Sequence, residues 1–400
     1  VNCLSSTLPH KEHSTLPEPM RALRGTALAR VRQVAEAKGV AGVVLTRPGP
    51  VAWATAGMNP PIDRTAAIDT VWLAIGPEHC TVIITEVERD RIEAELLPAD
   101  VGLVAVPWWD AQAMVDAAAA SFHLTPAELG SDGHEAFGHD LSHDLTVARI
   151  VLSEEEQAEL RSLGRDAARA VEDALRVWQP GETDQQIAAR IAGAVEAVGA
   201  DSPVLLVGAD DRLTRFRHPV AVGAVTEHVV MAVLVARRRG LHVALTRYVA
   251  GGPTPELDAA LVRVRAIHRA VLAAGVAGAS YGKVLTVLEG TYRQAGQPDA
   301  WREHYQGGPI GYAQREFEIS PAQDDSPWWT ENIRPGIAVA WNPSLAGGAK
   351  DEDTYLINSG GVELITTTSD WPTDGHPALP RPGVLRLGHA ARESDERNSS

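Results

Sequence analysis

The alternation of apolar and polar residues along the first 150 positions predicts a small α/β domain. From Arg21 the apolar positions recur at helical spacing up to Gly39, and the Val/Leu run that follows predicts a strand. Short apolar runs such as TVWLAIG and CTVIITE predict further strands, separated by helices over residues 86–97 and 111–121. The pattern therefore predicts an N-terminal domain over residues 20–148.

The pattern changes at residue 149. Ser153 followed by Glu156 is a capping-box sequence, and it precedes a long helical stripe that ends by Pro180. Helices are predicted next over residues 184–198, 255–274 and 281–295. Strand-like segments lie before and after these helices, and the final two strands are predicted around GIAVAWNP and DTYLINSGGVELIT. This order predicts an α+β domain over residues 149–370, with an antiparallel sheet and helices on one side.

Both ends of the chain differ in composition from these domains. Residues 1–19 are rich in Ser, Pro and His, and we expect a flexible segment there, with the structured product beginning near Met20. After residue 370 the sequence is rich in Pro and Gly and ends in the polar ESDERNSS. Residues 371–400 are therefore predicted to form a loosely ordered tail.

Composition narrows the set of partners and compartments. The 400 residues are 44% apolar with a formal charge of -16, and no block of Lys and Arg offers a surface for nucleic acid or an anionic membrane. No stretch approaches the roughly 20 apolar residues that span a bilayer. With Cys3 and Cys80 as the only cysteines, a disulfide framework is excluded, which predicts a reducing compartment, the cytoplasm.

Two histidines stand out as candidates for proton transfer. His218 precedes Pro219, which restricts it to an extended conformation and can aim its ring. A hydrogen-bonded loop histidine is the alternative. His242 alternates with Leu241 and Val243 in a predicted strand, which favours a structural role.

The stretch HYQGGPIGYAQRE, residues 304–316, combines glycines with many polar groups. Its glycines permit backbone conformations closed to other residues, so we expect a tight turn that a ligand can approach closely. Alternatively, this stretch is a structural hairpin connection that carries polar side chains. The candidate ligand-binding residues around the turn are His304, Tyr305, Tyr312, Arg315 and Glu316.

A third cluster surrounds Gly347 and Gly348. Asn342 ends one predicted strand and Glu352 begins the next, so a hairpin would present an amide and a carboxylate side by side. Alternatively, Glu352 and Asp353 are charges on an edge strand that prevent aggregation through that edge.

Taken in order, these features resemble the creatinase and aminopeptidase P family. They are the small α/β domain, the capped helix pair, His218-Pro219, a strand with Gly240 and Thr246-Arg247, the glycine-rich stretch and the closing Glu-Asp-Thr strand. The resemblance spans about residues 20–368. It implies a small N-terminal creatinase-like α/β domain followed by a pita-bread domain, whose curved antiparallel sheet carries helices on its outer face, and it implies a homodimer.

The metal enzymes of that family hold two divalent ions with two aspartates, one histidine and two glutamates. Here Val233 and Ala244 stand at the aspartate positions, Gly308 at the histidine and Asn342 at the first glutamate. Glu352 alone keeps its ligand type. Alkyl side chains donate no electron pair to a hard cation, so we expect neither a metal nor another cofactor.

Several polar residues at matching positions remain. The resemblance implies that His218 is an acid–base group, as in metal-free creatinase, and that Glu352 lines the same cleft. Arg315 falls where the metal enzymes place a second substrate-side histidine, and Glu316 keeps the glutamate that follows. A single ion held by Glu352, His304 and His242 is the alternative to a metal-free site.

We therefore predict a metal-independent enzyme that acts on a small amino-acid-like or amidine-like substrate. Hydrolysis of a carbon–nitrogen bond is favoured over elimination or isomerisation. His218 would carry the proton, Glu352 and Glu316 would bind a cationic group and orient water, and Arg315 would bind a carboxylate. The other predicted substrate-binding residues are His304, Tyr312, Asn342, Arg247 and Tyr305.

Two other functions stay open from the sequence. One is a pita-bread binding module without catalytic activity, as in metal-free relatives. The other is a metal-dependent Xaa-Pro aminopeptidase-like peptidase with an atypical site. A small molecule is the predicted partner in the favoured hypothesis.

Overall fold

The computed structural model describes residues 18–58, 62–97, 101–318, 326–345 and 349–388. The chain divides into an N-terminal unit, Val1–Arg149, and a C-terminal unit, Ile150–Ser400. The first helix, α1, begins at Glu18. Most of the segment predicted to be flexible, residues 1–17, lies outside the described residues.

The N-terminal unit is a mixed α/β structure. Its helices are α1 (Glu18–Lys38), α2 (Pro48–Ala54), α3 (Arg89–Arg91), α4 (Ala111–Ala120) and α5 (Ser142–Arg149). Its strands are β1 (Val43–Leu45), β2 (Val71–Ile75), β3 (Cys80–Thr85), β4 (Gly102–Val106), β5 (Gly130–Ser131) and β6 (His139–Asp140). They pair in the order β4-β3-β2-β1-β5-β6, with antiparallel pairs at β1–β2 and β2–β3 and parallel pairs elsewhere.

Buried β-branched residues explain why these short segments form a sheet. Val44 and Ile83 are both fully buried in a core that also takes Met114 and Ala118 from α4. Asp110 begins α4 as its N-cap, because its carboxylate accepts hydrogen bonds from the backbone N–H groups of residues 112 and 113. The helix predicted over residues 111–121 is thereby confirmed.

The four long helices that the structure describes in the C-terminal unit match their predicted positions closely, whereas a short helix at Asp211–Arg215 was not predicted. In chain order the helices are α6 (Glu154–Arg176), α7 (Asp184–Ala197), α8 (Asp211–Arg215), α9 (Pro255–Ala274) and α10 (Tyr281–Gln294). The predicted capping box is confirmed: Ser153 Oγ accepts from Glu156 N at 3.2 Å, and Ser153 N donates to the Glu156 carboxylate at 2.7 Å. In the described part of the chain, no helix has both the length and the apolarity needed to cross a membrane.

Antiparallel pairing dominates the sheets of this unit. One sheet has the order β10-β11-β14-β15 and another the order β16-β9-β8-β7. Their strands, with the short hairpin β12–β13, are β7 (Asp201–Ala209), β8 (Val229–Arg238), β9 (Leu241–Ala250), β10 (Gly307–Ile310), β11 (Ala338–Trp341), β12 (Ser344–Leu345), β13 (Ala349–Lys350), β14 (Asp353–Asn358), β15 (Gly361–Leu364) and β16 (Val384–Arg386).

Hydrogen bonds join the two sheets where β9 meets the segment that leads into β14. Thr246 N donates to the Glu352 carbonyl at 2.8 Å, and Ala244 N donates to Thr354 Oγ1 at 2.8 Å. The larger helices pack against these sheets, with α6 on β9 and α9 on β11 and β13. The architecture is the predicted α+β arrangement.

The glycine-rich stretch differs from its prediction. Residues 307–310 form an edge strand, β10, paired with β11, and not the tight turn that the glycines suggested. Gly307 has φ +97°, and a Cβ there would lie 2.1 Å from the Ala340 carbonyl oxygen, so only glycine fits this pairing. Pro309 is tolerated because β10 lies at the edge of its sheet.

Residues 371–388 also differ from the predicted loose tail. Trp371 is 4% exposed, and its indole N–H donates to the Gly383 carbonyl at 3.1 Å. Arg381 is fully buried, and β16 pairs in parallel with β9. Residues 389–400 lie outside the described residues.

Candidate functional site

One face of the β8–β9 pair forms the floor of the candidate site. Val233 lies opposite Thr246, and Val235 opposite Ala244, in the antiparallel register. Because side chains alternate along each strand, all four lie on the same face. Val233 and Ala244 are each 2% exposed, so this face is largely apolar.

The segment from Lys350 to Asp353 adds two buried charged side chains, Lys350 and Glu352. Asp351 and Asp353 both bind Arg381, at 2.9 and 3.1 Å. Because side chains alternate along an extended chain, Lys350 and Glu352 lie on the side opposite to Arg381. Both are buried, at 4% and 3% exposure.

His218 and His304 form a pair beside this segment. Their Nε2 atoms lie 3.2 Å apart, and their ring centres are 5.0 Å apart. His304 is 9% exposed, whereas His218 faces solvent. At this separation one imidazole donates and the other accepts, so the two rings can hold a proton between them.

The surroundings keep both imidazoles neutral. Burial, with the positive charge of Lys350 and the neighbouring His218, lowers the pKa of His304 to about 2. Partial burial and the charges of Lys350 and Arg217 also lower the pKa of His218. A neutral pair can accept a proton at physiological pH, which a general base requires.

Lys350 and Glu352 are shifted in the directions expected of buried charges. Burial lowers the pKa of Lys350, although the carboxylate of Glu352 opposes this. Burial likewise raises the pKa of Glu352, against the opposing charges of Lys350 and Arg315. The two groups therefore stabilise each other's ionised forms across the site.

Arg315 is held by groups next to β10. Its Nε lies 3.2 Å from the Glu318 carboxylate, and its Nη1 donates to the Ala340 carbonyl at 2.9 Å. Glu318 also accepts from Gln306 N and Gly307 N, at 2.8 and 3.1 Å. The charge of Arg315 acts on Glu352, but much of the Arg315 guanidinium is engaged by the protein itself.

Two buried oxygens of the site lack partners. Neither Asn342 Oδ1 nor Thr246 Oγ1 has a hydrogen bond to any residue that the structure describes. Trp341 pairs with Asp353 in the antiparallel register. The residue after Trp341, Asn342, is therefore next to Glu352, the residue before Asp353. Unsatisfied buried oxygens are costly unless water or a ligand binds them.

Two other predicted residues lie outside the buried part of the site. Arg247 points to the opposite face of β9, where it binds Glu172 and Asp353 at 2.9 Å each. The prediction that Arg247 binds substrate is therefore wrong, and its role is structural. Tyr305 is 70% exposed.

Tyr312 and Glu316 form hydrogen bonds that hold the loop after β10. The Tyr312 hydroxyl donates to Glu156 at 2.9 Å, which ties this loop to the start of α6. Glu316 accepts from Ala313 N at 3.1 Å, and its charge acts on His242 and Tyr281. The structure therefore does not bring Glu316 to His218 as a catalytic partner.

Sequence reasoning missed Lys350 and Glu318. Lys350 could have been found from strand alternation, because it stands two positions before Glu352 and must share its side. Glu318 gave no such signal, since its partners are backbone groups of a segment expected to be a turn.

Comparison with protein families identifies the chain. The sequence model of metallopeptidase family M24 matches residues 158–359, half of the chain. The chain belongs to metallopeptidase family M24. No curated protein sequence matches it.

Solved structures share its fold at low identity. Dipeptidase PepE from Mycobacterium ulcerans is 18% identical with a TM-score of 0.71, over 93% of this chain and 100% of that one. Prolidase from Pyrococcus horikoshii is 16% identical with a TM-score of 0.67, over 86% and 98%. The N-terminal domain of FACT complex subunit SPT16 from chickpea, Cicer arietinum, is 10% identical with a TM-score of 0.63, over 88% and 97%. The predicted creatinase-like domain followed by a pita-bread domain is confirmed.

The M24 name implies divalent metal ions, and the residues at the ligand positions do not fit them. Val233 and Ala244 offer only alkyl groups on the buried site face. A Cβ at Gly308 would lie 2.9 Å from the Phe317 carbonyl oxygen, so a histidine there requires the backbone to move. Asn342 supplies a neutral amide where the family has a carboxylate. This donor set does not fit a pair of hard divalent ions.

The single-ion alternative also lacks an arrangement of ligands. His242 Nδ1 lies 3.0 Å from the Gly311 carbonyl, and burial lowers the pKa of His242 to about 4. Over the described ranges, no group of three or more His, Cys, Asp and Glu side chains is placed to hold a metal ion. His242, His304 and Glu352 therefore do not form such a group.

Proposed function

We propose that the protein is a metal-independent hydrolase that cleaves a carbon–nitrogen bond in a small amino-acid-like substrate. The observation that carries this proposal is the contact between His218 and His304, with their Nε2 atoms 3.2 Å apart. Lowered pKa values keep both rings neutral, and the charge of the buried Lys350 acts on both of them. Membership of family M24 supports hydrolysis as the reaction class.

His218 is assigned the proton transfer because it is the solvent-facing member of the pair. In the tautomer that we assign, His218 donates from Nε2 to His304 Nε2, and its Nδ1 keeps a lone pair. Nδ1 takes a proton from the attacking water as the new carbon–oxygen bond forms. The same proton then passes to the leaving nitrogen as the carbon–nitrogen bond breaks, so one water is consumed and an acid and an amine are released.

His304 is a positioning residue in this scheme. Its pKa of about 2 keeps it from taking the proton permanently, so it acts as a neutral acceptor that fixes the orientation of His218. Glu352 and Asn342 are assigned to the substrate or to the attacking water, because Glu352 is buried and Asn342 Oδ1 lacks a partner among the described residues.

The scheme limits the substrate. General acid–base help contributes about a hundredfold to ten-thousandfold, so an unactivated peptide bond is a poor substrate without further assistance. An intrinsically reactive amide, ureido or amidine group, held close to His218, suits this site better.

The test measures turnover with and without a metal chelator. Purified protein would be incubated with N-acyl amino acids, dipeptides, ureido acids and guanidino acids, with and without EDTA, and amine or ammonia release measured. We expect turnover that survives chelation and falls at least about a hundredfold in H218N. The matched control is H228N, since His228 is exposed and outside the site.

Opposite results would exclude the proposal. Activity that disappears with EDTA and returns with manganese, zinc or cobalt would indicate the atypical metallopeptidase. A protein that turns over none of these substrates, yet binds a macromolecule whether or not His218 is replaced, would indicate the binding module.

We also propose the homodimer implied by the family resemblance. Light scattering on the eluate of a size-exclusion column tests it directly. A mass near the 42.7 kDa of one chain would exclude it.

A further inference from the structure

We propose that a cavity in the C-terminal unit binds the carboxylate and hydrocarbon side chain of an amino-acid-like ligand, with Lys350 and Arg217 as the anion-binding groups. The cavity has a volume of about 180 Å³, which is room for several water molecules. This inference names the substrate class of the proposed hydrolase and in that respect rests on the proposed function.

The floor of the cavity is apolar. Leu213, Met231, Leu345 and Ala349 line it, and each is at most 5% exposed. Moving a hydrocarbon group from water onto such a surface is favourable because it removes apolar area from water. The floor therefore favours a ligand with an aliphatic side chain over a small inorganic ion.

Lys350 supplies a buried positive charge at this floor. It lines the cavity and is 4% exposed. Its Nζ forms no hydrogen bond or direct ion pair with any residue that the structure describes, although the charge of Glu352 acts on it from a greater distance. A buried ammonium group is costly unless an anion pairs with it, and a ligand carboxylate would be such an anion.

Arg217 supplies a second cation in a fixed orientation. Its Nη1 donates to Ser344 Oγ at 2.9 Å, and its Nη2 pairs with Glu303. A guanidinium carries five N–H groups, so these contacts hold the side chain and still leave donors for a ligand. Its planar fork matches a carboxylate.

The balance of charge in the cavity selects for anions. Its lining includes Lys350, Arg217 and Arg215, and the described lining residues include no Asp or Glu. Arg215, which pairs with Asp211 at 3.1 Å, lies at the exposed mouth. A cationic amidine, which the sequence left open as a ligand, is therefore disfavoured in this cavity.

Lys350 connects the cavity to the histidine pair. It lines the cavity, and its charge acts on both His218 and His304. Arg217 precedes His218 directly in the chain. A ligand whose carboxylate binds Lys350 and Arg217 would thus present its neighbouring carbon–nitrogen bond toward His218.

Calorimetric titration tests the two halves of the ligand separately. The probes are 4-methylpentanoate, its neutral amide 4-methylpentanamide, acetate and inorganic phosphate. We expect 4-methylpentanoate to bind at least about tenfold more tightly than each of the others, because it alone combines the carboxylate with the aliphatic group. Phosphate binding equal to that of 4-methylpentanoate would contradict the role of the apolar floor.

Variants then test the cations. K350M and R217M should each weaken 4-methylpentanoate binding about tenfold or more and leave binding of the amide unchanged. The matched control is R302M, because Arg302 is an exposed arginine, with 67% of its side chain accessible, and does not line the cavity. Circular dichroism checks the folding of K350M, and R217M provides an independent test at a partly exposed position.

The outcomes separate this inference from the proposed function. If wild type does not bind 4-methylpentanoate, or if both K350M and R217M bind it normally, the cavity assignment is wrong while EDTA-resistant turnover through His218 can still stand. If the carboxylate binds through Lys350 and Arg217 but no substrate is turned over, the cavity assignment holds and the hydrolase is wrong.

Discussion

Arg381 Nη2 lies 2.9 Å from Asp351 Oδ2 in the interior of the C-terminal unit. Arg381 is fully buried, and it also reaches Asp353 at 3.1 Å. Because Asp351 and Asp353 flank Glu352, these ion pairs fix the backbone that presents Lys350 and Glu352 to the candidate site. A segment about thirty residues farther along the chain thereby positions this part of the candidate site.

Replacing Arg381 should destabilise the protein strongly. R381M leaves two buried carboxylates without their shared cation, and we expect a loss of about 3–5 kcal/mol in the free energy of unfolding. Urea unfolding measures it. The control is R386M, which removes an ion pair of Arg386 with Asp258 on the surface and should cost at most about 1 kcal/mol. Equal losses in the two variants would show that the buried network contributes no more than a surface pair.

Local sequence signals predicted the helices well. The Ser153–Glu156 capping box and the cap of α7 at Thr183 are each formed by residues within one turn, so the sequence contains all the information needed. Long-range pairing is different. Residues 307–310 were expected to form a turn because glycine and proline favour turns, whereas their pairing with β11 depends on residues about thirty positions away.

The candidate site was predicted in part for the same reason. The order of motifs identified His218, His304, Asn342 and Glu352, but it gave no information on which way a side chain faces. Arg247 follows Thr246, so strand alternation places it on the opposite face, in contact with Glu172. The buried role of Arg381 could not be read from a Pro/Gly-rich segment, because its partners lie about thirty residues before it.

Gly307 should be the glycine least tolerant of substitution in β10. G307A places a Cβ 2.1 Å from the Ala340 carbonyl oxygen at a backbone φ of +97°, so we expect a loss of more than about 2 kcal/mol in the free energy of unfolding. The control is G290A, where a Cβ meets nothing within 4 Å inside α10 and should stabilise the helix by up to about 1 kcal/mol. A G307A protein as stable as wild type would contradict the close pairing of β10 with β11.

Buried histidines should make stability fall in mild acid. Burial lowers the pKa of His242 to about 4, and burial with the charge of Arg381 lowers the pKa of His268 to about 4. Below about pH 6.5 the unfolded chain binds protons that the folded chain excludes, so each histidine contributes stability that is present above pH 6.5 and lost as the pH falls toward 4.

The expected loss is about 1 kcal/mol per pH unit for each histidine in that range. Burial raises the pKa of Glu352, which acts in the opposite direction, so the informative quantity is the difference between wild type and H242Q. Urea unfolding between pH 7 and pH 4.5 should show a shallower decline in H242Q. Parallel declines would mean that His242 is protonated equally in the folded and unfolded chains.

Lys350 should tune the proton affinity of the histidine pair. Burial is the larger cause of the lowered pKa values of His218 and His304, and the positive charge of Lys350 is the next. K350M removes that charge and should raise both pKa values, whereas K350R keeps the charge and should leave them close to wild type. Nuclear magnetic resonance titration of isotope-labelled histidine rings measures this without any substrate, with H218N and H304N to assign the signals. If K350M titrates like wild type and K350R, burial alone sets these pKa values, and Lys350 has no electrostatic influence on the proposed general base.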